Sequence, residues 1–331
     1  MKTLSVKSGW FLAFVTVWNF LALFHTPVGA ADRITIGYAQ GSGLWPLWIT
    51  NDGGYFKRND LDVEFVFTGG SAVTMAGLVS GHLFVTAGGS AAGVSAVMRG
   101  APLVLIGSCG RPPFSLFASD PSIKTVADLK GKVVATGSGQ SDDLVLRDIL
   151  RRNGMKYGDL QPTYQANQNV RYAAVLSQRA AAAVFSPPYD LLAKKANLRE
   201  LVDFNTLGSP LMFCGVWTRK NNLEQRSATL EKVMQGLVQA VARFRQDKAY
   251  AIQVFNKYAR NTDAELAEHT YRRQVNLVPV KPYVEAEGLK PLLDSVIEVN
   301  PELKNRQPTE FYDNRFVKRL DDTGFIDGLY K

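Results

Sequence analysis

The chain has 331 residues, of which 46% are hydrophobic and 21% are charged. This composition supplies enough apolar material for one large or two medium cores and excludes an intrinsically disordered chain. The formal net charge is +8, but the basic residues lie in short scattered clusters, such as Lys318/Arg319, that are too short for a nucleic-acid-binding patch. We therefore expect no nucleic-acid partner and a slight preference for anionic ligands.

The N-terminus has the pattern of a secretory signal peptide. Two lysines precede the apolar run Trp10–Phe24, and Pro27 and a series of small residues follow it. A membrane anchor is the alternative, but Asn19 interrupts the run, which is shorter than the roughly 20 residues that span a bilayer. The pattern predicts a signal peptide over residues 1–30, cleaved after Ala30. Cleavage removes two lysines and no acid, which lowers the net charge from +8 to +6.

The two cysteines, Cys109 and Cys214, are far apart in the sequence. In an exported protein they could form one disulfide, or both could remain buried thiols, and the sequence leaves both alternatives open. Neither cysteine lies near the cleavage site, which excludes a lipid anchor at a processed N-terminal cysteine. A free exported protein that must stay near its cell implies a periplasmic location.

The first part of the mature chain alternates short strands with helices. Glycine- and serine-containing turns separate them: GSG (41–43), GGS (69–71) and GGS (88–90). Hydrophobic periodicity predicts strands at 34–38, 61–67, 83–86 and 103–106, and helices from Trp45 and over 72–80 and 91–99. Strands and helices that alternate at this spacing indicate a mostly parallel sheet.

The same order of elements restarts near residue 126. Strands are predicted at 132–135, 162–165 and 181–185, and helices at 142–152 and 170–179. Two successive βαβαβ units indicate an α/β fold with two doubly wound lobes. From Leu211 a strand, LMFCGVW, introduces a mainly helical third part, with helices predicted at 230–247, 249–258, 264–276, 285–299 and 310–320.

Ligands of such sheets bind outside the carboxyl ends of the strands, where the strand-to-helix turns gather. The turns of this chain therefore predict one cleft between the lobes. Glycine lets a backbone N–H approach a ligand closely, and serine can donate its hydroxyl. Alternatively, each serine is simply the N-cap of its own helix. The candidate ligand-binding residues are Ser42, Gly43, Trp45, Gly70, Ser71, Gly89, Ser90, Ser138, Gly139, Gln140, Ser141, Pro187 and Tyr189.

Several ordered motifs resemble those of the periplasmic solute-binding proteins of ABC importers, in the nitrate/sulfonate/taurine-type group. They are ITIGYA (34–39), GGYFKRNDLDVEFVFTGGS (53–71), GHLFVTAGGSAA (81–92), RGAPL (99–103), VADLKGKVVATGSGQSDD (126–143) and AAAVFSPPYDLLAK (181–194). The resemblance implies a type II periplasmic binding fold, in which two crossover strands join the lobes. Carried over, lobe I comprises residues 31–112 and 213–331, lobe II comprises 113–212, and the crossovers lie near 114–118 and 207–213.

The resemblance also implies a function. The chain would capture a small, anionic or zwitterionic molecule by hinge closure and deliver it to a permease and ATPase complex at the inner membrane. Sulfonates, taurine, nitrate, carboxylates and pyrimidine precursors all remain possible solutes. Trp45, Trp48 and Tyr189 are aromatic candidates for burying the solute, Arg111 could pair with an anion, and Asp142 and Asp143 could complement their own helix dipole. We expect a monomer with no cofactor and no metal site.

Two other classes of function remain as alternatives. A periplasmic binding protein that serves a sensor or chemoreceptor would look the same in sequence. A serine hydrolase would use Ser90, in a turn like a nucleophile elbow, with His82 or His269. Related folds that make the thiamine pyrimidine use a cysteine-rich motif, which two separated cysteines do not supply. We therefore expect no enzymatic activity.

Overall fold

A computed structural model of the chain describes residues 31–38, 45–165, 167–299, 301 and 306–331. A compact unit within it runs from Arg33 to Lys331. The predicted signal peptide and two candidate site residues, Ser42 and Gly43, lie outside the described residues. None of the helices in the described part of the chain is long and apolar enough to traverse a bilayer.

The strands occur in the predicted strand–turn–helix order. They are β1 (Asp32–Tyr38), β2 (Leu61–Phe67), β3 (Val85–Gly89), β4 (Leu103–Gly110), β5 (Ser115–Ala118), β6 (Val133–Thr136), β7 (Gln161–Tyr164), β8 (Ala182–Phe185), β9 (Arg199–Asp203) and β10 (Cys214–Arg219).

The helices between and after these strands number fourteen in the described residues. They are α1 (Trp45–Asp52), α2 (Tyr55–Arg58), α3 (Ser71–Ser80), α4 (Ser90–Met98), α5 (Ser141–Arg152), α6 (Gln168–Leu176), α7 (Tyr189–Lys195), α8 (Asn222–Gln225), α9 (Ser227–Gln246), α10 (Lys248–Ala259), α11 (Ala264–Gln274), α12 (Ala286–Val299), α13 (Arg315–Asp322) and α14 (Phe325–Gly328). Short 3-10 turns lie at Ala127–Leu129, Tyr157–Asp159, Phe204–Leu207 and Pro308–Glu310.

The strands form two five-stranded sheets with equivalent orders. The first sheet has the order β2-β1-β3-β10-β4 and the second the order β7-β6-β8-β5-β9. In the first sheet β10 runs antiparallel to β3 and β4, and in the second β5 runs antiparallel to β8 and β9. Each sheet with its helices forms one lobe, so the fold is the predicted pair of α/β lobes. The chain passes between the sheets twice, after β4 and before β10.

Several predicted elements are shifted in the structure. The strand expected at 83–86 is β3, two residues later, and the strand expected from Leu211 begins at Cys214. Residues 115–118, expected as a crossover strand, form β5 inside the second sheet, where β5 pairs with both β8 and β9. Strand β9 was not predicted, because its sequence RELVD has no clear apolar alternation. The last predicted helix starts later, at Arg315.

The C-terminal helices contribute buried side chains to two apolar clusters of the protein. Buried residues of β1, β3 and α1 pack with buried residues of α9 and α10 in one cluster. A second cluster joins the lobes, because it contains Leu105 of β4, Val145 of α5, Val184 of β8 and Leu289 of α12. Helix α12 thus packs against both α4 and α5. Apolar burial on this scale is the main stabilising contribution to such a fold.

Candidate functional site

The turns that follow β2 and β3 in the first lobe and β6 in the second meet at one point. A Cβ atom built on Gly89, at the end of β3, would lie 3.2 Å from Ser71 Oγ and 3.9 Å from Ser141 Oγ. Ser71 and Gly89 belong to the first lobe, and Ser141 begins α5 of the second. All three residues are partly exposed. The structure therefore brings these three predicted site residues together where the lobes face each other.

The serines of these turns are not N-caps. The N-cap positions of α3, α4 and α5 are Gly70, Gly89 and Gln140, and no side chain makes a capping hydrogen bond at any of them. Ser71, Ser90 and Ser141 instead occupy the first helical position. Helix N-termini carry partial positive charge and unsatisfied N–H groups, which favour an anion. The alternative N-cap role for the serines is thus wrong for these three helices.

The turn between β6 and α5 presents Ser138, Gly139 and Gln140 to solvent. Gly139 has a φ of +63°, a left-handed conformation that favours glycine. The side chain of Gln140 folds back over Gly137, where an added Cβ would lie 2.8 Å from Gln140 Cδ. This exposed, glycine-containing turn offers its polar groups from the lobe opposite to Ser71.

A buried ion pair between Asp142 and Arg171 supports the turn between β6 and α5 on its interior side. Asp142 accepts hydrogen bonds from Gly137 N, at 2.7 Å, and from Thr136 Oγ1, at 3.2 Å. Arg171 Nη2 of α6 lies 3.5 Å from Asp142 Oδ2, and Arg171 Nη1 donates to Gln165 O at 2.5 Å. Burial raises the pKa of Asp142, although the Arg171 charge opposes this. Burial also lowers the pKa of Arg171, while Asp142 opposes that shift.

The neighbouring carboxylate, Asp143, is also bound internally. It accepts hydrogen bonds from Tyr157 Oη at 2.5 Å and from Arg147 Nε at 3.2 Å. Burial, reinforced by Asp143, raises the pKa of Tyr157 far above its usual value. Both acidic side chains of the turn are therefore engaged by donors of their own lobe, and the turn presents neutral donors to the cleft.

The turn after β8 is fixed by a reciprocal pair of hydrogen bonds. Gln168 Nε2 donates to Ser186 Oγ at 2.8 Å, and the Ser186 N–H donates to Gln168 Oε1 at 2.9 Å. The Pro187–Pro188 peptide is cis, and Pro187 is buried. Tyr189 is half-buried beside Tyr172, with ring centroids 5.8 Å apart, and burial raises the pKa of its phenol.

Trp45 lies in the interior of the first lobe. Its side chain is fully buried, and its Nε1 donates to Ala251 O at 2.7 Å. Phe244, Phe255 and Tyr271 surround the ring. Its position after a glycine turn suggested a ligand contact, but helix α1 turns the indole inward, so the structure places it in the core. Trp48 is likewise buried, stacked on Tyr258.

The serine hydrolase alternative has no supporting geometry in the described residues. Ser90 Oγ is buried there without a hydrogen-bond partner. His82 Nδ1 pairs with Ser80, and His269 Nε2 pairs with Asp190. Among the described residues there is thus no Ser90–His hydrogen bond of the kind a triad requires. The described residues also contain no group of three or more side chains suited to a metal ion.

Sequence reasoning missed two polar residues that shape these turns, Gln168 and Arg171, and named His269 as a hydrolase candidate without its pairing with Asp190. Arg171 is 29 positions from Asp142, and His269 is 79 positions from Asp190. Contacts at such separations depend on the packing of helices and leave no local pattern in the sequence.

Two α/β lobes with glycine- and serine-containing turns converging between them define a bilobed binding-protein fold. The family model described as "NMT1/THI5 like" matches residues 43–249. The chain therefore belongs to the NMT1/THI5-like family.

Individual proteins extend this comparison. A protein of Escherichia coli (strain K12) whose name describes aliphatic sulfonate binding is 28% identical over 236 residues, which cover 69% of this chain and 67% of that protein. The crystal structure of the periplasmic aliphatic sulphonate binding protein of Escherichia coli has a TM-score of 0.70 at 22% identity, covering 84% of this chain and 90% of that one.

The alkanesulfonate-binding protein of Xanthomonas axonopodis pv. citri, bound to MOPS, also has a TM-score of 0.70, at 21% identity. It covers 86% of this chain and 98% of its own. At these identities the two solved structures establish the fold, which is that of periplasmic binding proteins.

Proposed function

We propose that this chain is the extracytoplasmic solute-binding protein of an ABC importer and that its solute is a small organic sulfonate. The observation that carries the proposal is the meeting of Ser71 and Gly89 of one lobe with Ser141 of the other. The uncapped N-termini of α3, α4 and α5 start at this point. The relative and the solved structures whose names describe sulfonate binding support the choice of solute.

A sulfonate suits these groups chemically. It remains a monoanion across the physiological pH range, and its three oxygens accept hydrogen bonds from several directions. Backbone N–H groups and serine hydroxyls can donate to such a group without a bound cation. Each helix N-terminus contributes about 0.3–1 kcal/mol to anion binding, and up to ~2 kcal/mol where it is partly buried.

Helix ends alone are too weak for tight binding. A micromolar dissociation constant corresponds to about 8 kcal/mol. The remainder must come from hydrogen bonds and apolar burial that form as the lobes close over the solute. Hinge closure therefore belongs to the proposal, because donors from both lobes contribute to the affinity of the closed state.

A matched pair of ligands tests the solute class. Taurine and β-alanine differ in having a sulfonate in place of a carboxylate. We expect taurine, ethanesulfonate or MOPS to raise the unfolding temperature of the mature chain, whereas β-alanine and nitrate should not. A ligand at 100 times its dissociation constant stabilises the folded state by about 2.7 kcal/mol. Equal stabilisation by β-alanine, or none by any sulfonate, would contradict the proposal.

Variants locate the binding in the cleft. Ser71→Ala and Ser141→Ala each remove one hydroxyl from the meeting point of the lobes, and each should weaken sulfonate binding. Ser177→Ala is the matched control, because its hydroxyl donates to Ala173 O at the exposed end of α6. Equal affinity of all three variants would place the sulfonate elsewhere.

The location and the partners need separate measurements. The N-terminal sequence of the exported protein should begin at Ala31 if the predicted signal peptide is cleaved. Deletion of the gene should abolish uptake of a labelled sulfonate if the partner is a permease and ATPase. A sensor or chemoreceptor partner would leave uptake intact and abolish the response to the sulfonate.

A further inference from the structure

Helix α11 belongs to the interior of the first lobe. Ala267 and Tyr271 are buried in the same apolar cluster as β1, β3 and α9. Tyr271 Oη donates to Phe244 O at 3.1 Å. These contacts fix the helix relative to the first sheet and leave its other side to meet the second lobe.

The side chains of His269 and Arg273, one helical turn apart on α11, reach carboxylates of the second lobe. His269 Nε2 lies 2.9 Å from Asp190 Oδ2, and Arg273 Nε lies 3.2 Å from the same oxygen. Arg273 also binds both oxygens of Asp203, with Nη1–Oδ2 at 2.5 Å and Nη2–Oδ1 at 3.1 Å. Its Nη2 donates in addition to Ser115 Oγ at 3.1 Å. We call this set of five residues the interlobe clamp.

The clamp is largely shielded from water. Asp190 is 1% exposed, and the side chains of His269 and Arg273 are 11% and 17% exposed. Charges at such sites interact more strongly than exposed pairs, and removal of one partner leaves the other uncompensated. The two-point contact between Arg273 and Asp203 also fixes orientation, which a single-point contact would not.

The second-lobe members of the clamp lie next to the two chain passages and the predicted ligand turn. Ser115 is the first residue of β5, directly after the first passage between the sheets, and Asp203 is the last residue of β9, before the return passage. Asp190 follows Tyr189 in the first turn of α7. The N–H groups of both Tyr189 and Asp190 donate to Ser186 O. One guanidinium therefore contacts both connecting regions and the helix that begins at the predicted ligand turn.

We propose that His269 and Arg273 are positioning residues that, through Asp190 and Asp203, hold the Ser186–Tyr189 turn and the second lobe at the angle that permits sulfonate binding. The affinity part of this inference rests on the proposed function. The two chain connections and the apolar contact of α12 also join the lobes, and the clamp adds a polar contact between them. The helical C-terminal part thereby sets the geometry of the cleft without touching the solute.

The test compares variants of the clamp with a matched pair between the same two helices. Lys195 of α7 and Glu265 of α11 form an ion pair at 2.5 Å, but both side chains are exposed. Lys195→Ala is therefore the control, because an exposed pair contributes little. His269→Ala and Arg273→Met break the clamp. His269→Gln and Arg273→Lys are the conservative variants, which keep a donor or the charge and remain informative if the stronger variants fail to fold.

Hydrogen exchange of the ligand-free mature chain measures how strongly the amides that follow the Ser186–Tyr189 turn are protected. In His269→Ala and Arg273→Met, the amides of residues 189–192 should exchange at least tenfold faster than in wild type. The amides of β1 and β3 should be unchanged, as should all amides in Lys195→Ala. His269→Gln should restore most of the protection. Unchanged exchange at 189–192, or equal acceleration throughout the chain, would overturn the proposal.

Calorimetric titration with MOPS and ethanesulfonate measures the consequence for binding. His269→Ala and Arg273→Met should bind at least tenfold more weakly than wild type, and Lys195→Ala should bind equally well. Wild-type affinity in both clamp variants would overturn the link between clamp and cleft. If wild type binds neither probe, the proposed function fails, and hydrogen exchange alone decides on the clamp.

Discussion

Substitution of Gly89 by alanine adds one methyl group at the point where the lobes meet. Gly89 has φ −57° and ψ 121°, which alanine adopts without strain. The new Cβ would lie 3.2 Å from Ser71 Oγ, so the serine must move by a few tenths of an ångström, and 3.9 Å from Ser141 Oγ. The substitution therefore fills the space between the three helix N-termini without disturbing the backbone.

Opposite effects on stability and binding are expected. Replacement of glycine by alanine at a compatible position stabilises a protein by about 0.4–1 kcal/mol, because the unfolded chain loses freedom. The contact with Ser71 offsets part of this gain, so ligand-free stability should change by less than about 1 kcal/mol. A ligand group that must fit beside the new methyl group loses roughly 1–3 kcal/mol of binding free energy. Sulfonate affinity should accordingly fall by about tenfold or more, since a factor of ten is about 1.4 kcal/mol.

Titration calorimetry with MOPS and ligand-free thermal unfolding are the two assays. Gly88→Ala is the matched control, because a Cβ there would meet just the flexible Met75 Cε, at 3.4 Å. The reasoning is refuted if Gly89→Ala binds sulfonate as tightly as Gly88→Ala does, or if it loses stability and affinity in equal measure.

Three further predictions concern titration, thiol reactivity and the core. Burial opposes ionisation of Asp203, but the hydrogen bonds and charge of Arg273 outweigh burial and lower the pKa of Asp203. The ionised Asp203 therefore stabilises the folded state at pH values above the unfolded pKa of about 3.9, and this stabilisation is lost as the pH falls further. Asp203→Asn should therefore be less stable than wild type at pH 7 in urea unfolding, and the difference should narrow below pH 4; a constant difference would contradict the assignment. Burial, and then contact with Cys109, raises the pKa of Cys214, so iodoacetamide should label both thiols at pH 8 only after unfolding; resistance in denaturant without reductant would reveal a disulfide instead. Trp45→Phe should cost about 1–3 kcal/mol of unfolding free energy through the lost hydrogen bond and leave sulfonate affinity unchanged; a selective loss of affinity would return Trp45 to the binding site.

The strand–turn–helix order of both lobes could be predicted because it rests on local signals. Apolar strands end at glycine-containing turns, and helices with apolar faces follow within a few residues. The turns around Ser71, Gly89 and Ser141 were found for this reason. Their convergence followed from the rule that the carboxyl ends of strands share one edge of a sheet.

Other features depend on tertiary contacts that no local pattern contains. Trp45 follows a glycine turn in sequence, but its burial is decided by α10 and α11, more than 200 residues later. Strand β5 was expected as a crossover. Its place inside the second sheet depends on pairing with β8 and β9, which lie more than 60 residues later in the chain. The capping role expected of serine failed because the residue before each serine, Gly70, Gly89 or Gln140, already occupies the cap position. The sequence alone does not fix the first helical residue to within one position.

The position of β10 has a consequence for the order in which the lobes can be completed. This strand separates β3 from β4 in the first sheet, although it is made after the whole second sheet. Among the described strands, β4 therefore has no partner in the sheet until residues 214–219 are available, whereas β5–β9 are contiguous in the chain. The second lobe can assemble from local segments, and the first must wait for a distant one. The first lobe therefore remains incomplete until the chain has been made as far as residue 219 of 331.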